Sequence, residues 1–384
     1  MSGRPVAPST TDVVFMKHRS HLDRPPGDRD NAVGLARFLL TSLVVLSHSF
    51  YMHVCSLDYD PMVRWSWGQY TLGRIAVDAF FVLSGFLVAR SWAGSRGWAD
   101  FLTRRATRVY PAFLAAALFT SLVAAPWLAA RGGMHRPEAP SWAAILLPAL
   151  VLDYPELAAN GSLWTIRYDF YYYLLIGAMG WAGLLARRWP VFAMWASSWA
   201  VYAAWFTSGA EAGIYDQHPR LLTCFLSGAV AFAYRDRIPL RWSWFAMAVA
   251  GLAGYAAGWW PYRFWPYRVM NLAFPIYGAY ALLFICFRPG ARAGRLGWLG
   301  DYSYGLFLYA YPIQLMLVTA YRDRLGPFTH FLASWALAIL AAGLSLRLIE
   351  RPALRLRRRR PPDRREPPAP HFRVAEEATA RSVG

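Results

Sequence analysis

Apolar runs of about 20 residues, the length needed to cross the hydrocarbon core of a bilayer, recur from one end of this chain to the other, separated by short connections rich in arginine. They fall at 33–53, 72–92, 109–130, 165–186, 191–206, 221–234, 242–259, 270–287, 302–321 and 328–348. A shorter stretch at 142–152 contains Pro148 and reads as re-entrant or interfacial. Backbone polar groups in lipid must be satisfied within the segment, so such runs fold as helices. The expected fold is therefore an all-α integral membrane protein, a polytopic bundle of about ten transmembrane helices. Residues 1–30 read as a disordered cytoplasmic arm, 31–352 as the membrane domain and 353–384 as a basic disordered cytoplasmic tail.

The formal net charge is +18, which in a soluble protein would suggest nucleic acid. Here the charge is almost all arginine and sits mainly in short connections and the tail, where positive charge marks the cytoplasmic face. No nucleic-acid partner is expected; the membrane lipids are. The arginines after the even-numbered runs and in the tail place both termini in the cytoplasm. Cys55, Cys224 and Cys286 lack metal-ligand spacing, and no metal is expected.

Ionisable groups inside spans are costly and are candidates for function by default. Arg37 and His48 lie in the first run, eleven residues apart. That is about three helical turns, so they share a face, roughly 16 Å apart along the axis. Asp78 in the second run reaches a depth similar to His48 and is a candidate to orient its imidazole; a pair with Arg74, four residues earlier, is the plainer reading. Ser84 and Gly85 suit close helix packing. Arg105 and Arg108 share a face at the cytoplasmic mouth of the third run, expected to begin after a connection at 93–108. Guanidinium groups suit phosphate and diphosphate, although a plain positive-inside anchor explains the spacing as well. Trp164 and Asp169, followed by the aromatic run 170–173, are candidates to line an acceptor site.

These residues carry a resemblance. Arg37 and His48, Phe80-Phe81-Val82-Leu83-Ser84-Gly85-Phe86, Arg105-Ala106-Thr107-Arg108 with Tyr110-Pro111, Ser162-Leu163-Trp164-Thr165, Ser303-Tyr304-Gly305 with Leu308 and Pro312, and Glu350-Arg351-Pro352 occur in one order along the chain. Together they resemble acyltransferase family 3, the integral membrane O-acyltransferases that modify bacterial surface polysaccharides. Asp169 stands where the family usually has glutamate. Tyr309-Ala310-Tyr311-Pro312 lacks the histidine that many members carry before the proline, which is similar to the exopolysaccharide and Nod-factor acetyltransferase-like branch.

The resemblance implies a multi-pass enzyme of the bacterial inner membrane that transfers an acyl group, acetyl in the first instance, from acyl-CoA to a hydroxyl of a glycan or lipid-linked saccharide. No permanently bound cofactor is implied. His48 and Asp78 would be catalytic, Arg37, Arg105 and Arg108 would hold the CoA phosphates, and Trp164 and Asp169 would hold the acceptor. The rival class is a transporter or flippase for lipid-linked saccharides, with His48, Asp78 and Asp169 along a translocation path.

Overall fold

The computed structural model describes residue 22 and residues 31–54, 56–132, 159–208, 217–256, 270–288, 292–321 and 324–359. Among them the regular structure is entirely helical. Helix α1 spans Val33–Val54 and α2 Leu72–Ala93. Helix α3 covers Trp98–Phe119, passes through a wide π-type turn at Thr120–Ala124 and ends as Ala125–Ala130. Helices α4, α5, α6 and α7 are Trp164–Trp181, Arg188–Thr207, His218–Ala233 and Trp242–Ala256. Helix α8 opens as Met270–Ala273, takes a second wide turn at Phe274–Gly278 and continues as Ala279–Phe287. Helix α9 is Gly300–Tyr321. Helix α10 runs Pro327–Ser345, takes a third wide turn at Leu346–Glu350 and finishes as Arg351–Arg359.

Helices therefore stand at each of the ten expected positions, but they are not equivalent. Four have the length and apolar composition of membrane spans: Val33–His53, Leu72–Ala93, Trp98–Ala130 and Pro327–Arg355, with Asn271–Phe287 a shorter apolar helix. Of the remainder, four fall short for identifiable reasons. Helices α6 and α7 have 16 and 15 residues, below the span of about 20. Helices α4 and α9 are diluted by tyrosines and by Arg167, Asp169 and Asp301. The expected re-entrant stretch 142–152 lies outside the described residues, as do residues 360–384 and nearly all of the N-terminal arm. The first residues of the expected disordered tail are helical, continuing α10 to Arg359.

Helix α2 is central. From Ala76 to Ala89 residues on every side of it are buried, which requires neighbours all round. Its closest approach is to α6. A Cβ on Gly85 would strike the carbonyl oxygen of Phe225, and one on Gly228 would strike that of Val82. The two glycines thus let two backbones meet, the small-residue contact expected of Gly85. Helix α9 meets α10 the same way, with Gly305 against Ala342. At the periphery Leu332, Leu340, Leu344 and Leu348 of α10 are exposed, as apolar side chains on a lipid-facing helix are.

Candidate active site

The third helix begins about ten residues earlier than expected, and this builds the site. The charge of residues 96–108 marks a connection by hydropathy, yet from Trp98 the segment is an amphipathic helix with Asp100 in its first turn. The backbone N–H of Arg96 donates to Asp100 Oδ2 at 3.1 Å, and Arg104 pairs with the same carboxylate at 2.6 Å, one turn on. Phe101 and Val109 are buried on the side that also carries Arg105. Arg104, Arg105 and Arg108 are consequently carried on a rigid helix, not a loop.

Those side chains open into a cavity of about 630 Å³ enclosed by α1, α2, α3, α4, α9 and the end of α10. Five arginines line it (Arg37, Arg90, Arg104, Arg105 and Arg108) against three carboxylates, Asp169, Asp301 and Glu350. Arg104 is already engaged by Asp100. The guanidinium of Arg105 stands 5.7 Å from the centre of the Tyr173 ring, and its Nε makes no hydrogen bond. Arg37 is close enough to interact electrostatically with Arg108, Asp169 and Asp301. The pocket is thus net positive, with donors left over.

The predicted donor residues Arg37, Arg105 and Arg108 do come together here. Asp169, expected at an acceptor site, lines the same cavity and accepts a hydrogen bond from Ser84 Oγ at 3.2 Å. Trp164 does not line it; its ring packs edge-on to Tyr168 at 5.8 Å. Tyr173 belongs to the aromatic run 170–173 expected at an acceptor site, whereas Arg90, Asp301 and Glu350 were missed. Glu350 is the one with a readable signal, because it opens the Glu-Arg-Pro motif; the wide turn at 346–350 aims it inward, where Ser345 Oγ donates to it at 3.3 Å.

His48 lies beyond the cavity. Its ring meets that of Tyr311 edge-on at 5.1 Å, and Tyr311 lies so close to Gly161 that a Cβ there would come within 2.6 Å of the phenol ring. Asn160 fixes that corner by donating to the Leu308 carbonyl at 2.9 Å and to Thr120 Oγ1 at 3.2 Å. Ser47 in turn faces Gly73 of α2, 3.0 Å from where its Cβ would be. Tyr311, Gly161 and Gly73 therefore mark the level of His48. On α9 and α2 the lining residues nearest to that level, Phe307 and Val77, each lie four residues from it, a rise of about 6 Å. On α1 the lining stops at Arg37, three turns before the histidine.

Asp78 has other partners than expected. Its Oδ1 forms a buried ion pair with Arg220 Nη1 of α6, and Tyr70 OH donates to its Oδ2 at 2.9 Å. Arg74 lies instead against the Tyr70 ring, 5.4 Å from its centre. A carboxylate in an apolar interior takes the strongest available cation, and that cation is 142 residues away in sequence, invisible to helical spacing. Among the described residues no cluster of three or more histidine, cysteine or acidic side chains could hold a metal.

A cationic cavity therefore stands inside an apolar helical bundle, with His48 beyond its lining. The chain belongs to the acyltransferase 3 family: the family model, described as an acyltransferase domain, matches residues 30–347. It is also similar to an O-acetyl transferase of Shigella phage Sf6, 22% identical over 350 residues that make up 84% of this chain and 96% of the relative. No solved structure matches it.

Proposed function

We propose that this protein is an O-acyltransferase of the bacterial inner membrane that uses an acyl-CoA, acetyl-CoA first among them, to acylate a hydroxyl of a glycan or lipid-linked saccharide. The observation that carries this is the net positive cavity lined by Arg37, Arg105 and Arg108, on the same side of the bundle as the Arg37-to-His48 face of α1. Arg105, Arg108 and Arg37 suit the diphosphate and phosphate of CoA, which guanidinium groups bind through paired charge-assisted hydrogen bonds. The pantetheine arm would run along the Arg37-to-His48 face of α1, a span of about 16 Å. His48 would take the proton of the acceptor hydroxyl as its oxygen attacks the thioester carbonyl. The carbon–sulfur bond then breaks, and the CoA thiolate is protonated in turn. Asp169 would sit on the donor side of the reaction, and Asp78 would hold α2 to α6 without touching the imidazole. The arginine-rich ends around the cavity mouth favour a cytoplasmic donor entrance, with both termini on that side.

The test is binding and turnover of radiolabelled acetyl-CoA by purified protein, wild type beside Arg105→Ala and His48→Ala. Binding lost in the arginine variant, and turnover lost with binding retained in the histidine variant, is the expected result. Undiminished turnover by His48→Ala would remove the histidine from the mechanism. No interaction with acyl-CoA by folded wild type would favour a carrier of saccharides.

A further inference from the structure

At the end of α2 remote from the cavity's arginines, the charges do not balance. Arg74 stands 16 residues before Arg90 on that helix, about 24 Å away along its axis. It shares a face with Asp78, one turn on, yet that carboxylate is taken by Arg220 and by the Tyr70 hydroxyl. Asp60, at the start of α2, is spent on Ser47 Oγ at 2.5 Å and on the backbone N–H groups of Met62 and Leu72 at 2.9 and 3.1 Å. Arg74 is left with the face of Tyr70, 5.4 Å from the ring centre, and with Arg220 and Tyr202 near enough to interact electrostatically. Its Nε is enclosed and has no hydrogen-bond partner among the described residues, and the same holds for the hydroxyl of Tyr202, a residue of α5 that is 2% exposed. Two guanidiniums, one carboxylate and an unused phenol therefore meet between α2, α5 and α6.

A guanidinium withdrawn from water without an acceptor is costly, and a buried hydroxyl without a partner calls for an explanation. Both groups are donors, so one ligand that only accepts satisfies them together, and a phosphate or carboxylate oxygen does so most strongly. Arg74 is half-buried and not sealed, which leaves an approach to it. We propose that Arg74 and Tyr202 bind an anionic group of the acceptor, the phosphate of a lipid-linked saccharide or the carboxylate of an acidic sugar. The proposal deepens the acyl-transfer reading above and rests on it. The level suits that role. Gly73 faces Ser47 across the contact between α2 and α1, with Ser47 Oγ 3.0 Å from where a Cβ would be, and the next residues on the two helices are Arg74 and His48. Their Cα atoms are therefore no more than about 14 Å apart, within the reach of a short glycan whose hydroxyl lies at the imidazole. Donor and acceptor anions are then held at opposite ends of α2 and do not compete.

The experiment measures equilibrium binding of two labelled probes, farnesyl diphosphate and glucuronate, to full-length protein in phosphatidylcholine nanodiscs. Binding of the first that depends on Arg74 identifies a lipid-linked phosphate, and of the second an acidic sugar. Arg74→Gln should weaken that binding about ten- to hundredfold and Tyr202→Phe about three- to tenfold, while Arg105→Ala and saturating CoA leave it unchanged. Arg74→Gln should also unfold at the wild-type temperature or above, because it removes a surplus buried charge; an arginine that served packing alone would lower it. Tyr202→Phe, which loses a single hydroxyl, decides the matter should Arg74→Gln fail to fold. Four results would each overturn the inference: neither probe bound by folded wild type, binding unmoved by either variant, binding lost in Arg105→Ala or to CoA, or displacement of the probe by phosphatidylglycerol added to the nanodisc, which would give the site to a membrane lipid. Failure of labelled acetyl-CoA to bind the same preparations would instead overturn the donor reading, and it is told apart by probe binding that still depends on Arg74.

Discussion

Removing the carboxylate of Asp78 should be among the most damaging single changes in this protein, and removing its partner as well should undo most of the damage. In Asp78→Ala the guanidinium of Arg220, in a residue only 4% exposed, loses its counter-charge and keeps Gln217 Oε1 at 3.0 Å. Arg74 is close enough to add like-charge repulsion. An uncompensated buried charge of this kind costs about 3–5 kcal/mol, and the stranded hydroxyl of Tyr70 adds about 1 kcal/mol. In Asp78→Leu/Arg220→Met both charges go and the volume is kept, so stability should return to within about 2 kcal/mol of wild type. Unfolding of the detergent-solubilised variants, by heat and by titration with a denaturing detergent, measures the cycle; acetyl-CoA turnover of the double variant is read beside it. A single variant less than about 1 kcal/mol below wild type would refute the buried-pair reasoning, as would a double variant no better than the single. A stable but inactive double variant would return Asp78 to the chemistry of His48.

Other outcomes follow from the same geometry. Arg105→Ala or Arg108→Ala should weaken acetyl-CoA binding about ten- to hundredfold, since each hydrogen bond to a charged group contributes about 1.5–3 kcal/mol; equilibrium binding of labelled donor reads this directly. Gly228→Leu should destabilise by about 1–3 kcal/mol or more, because the new side chain meets the backbone of Val82, which cannot rotate away; a lowered unfolding temperature with an unchanged far-ultraviolet helix signal is the signature. Free CoA should inhibit competitively with acetyl-CoA at a similar affinity, because the arginines would hold the part of the donor that the reaction leaves unchanged; initial-rate kinetics decide it.

What could be read from the sequence was whatever depends on local periodicity. Arg37 and His48 share one uninterrupted helix, so their spacing translated directly into distance. Arg105 and Arg108 do line the cavity although their helix was begun too late, because hydropathy registers charge and not the pairing of Asp100 with Arg96 and Arg104 in the first turn. What local periodicity could not reach was pairing across the bundle. Asp78 with Arg220, Asp169 with Ser84, and the convergence of Glu350 on the first helix's arginine all join segments far apart in the chain. Asp169 was placed with the acceptor because it follows Trp164 closely; on α4 the four intervening residues turn the two side chains to different neighbours.

The wide turn at Leu346–Glu350 amounts to one residue inserted into an otherwise regular helix. The turn absorbs that residue, so the helix on either side of it keeps one common phase. A further residue inserted there without a second wide turn would rotate everything downstream by about 100° about the helix axis. Glu350 would swing off the cavity wall, and the arginine-rich segment Arg351–Arg359 would present a different side to the bilayer. A one-residue insertion between Ser345 and Arg351 should therefore cost more than substitution along the apolar, lipid-facing stretch before it, whereas loss of the extra residue with its bulge should leave the phase of the last segment nearly unchanged.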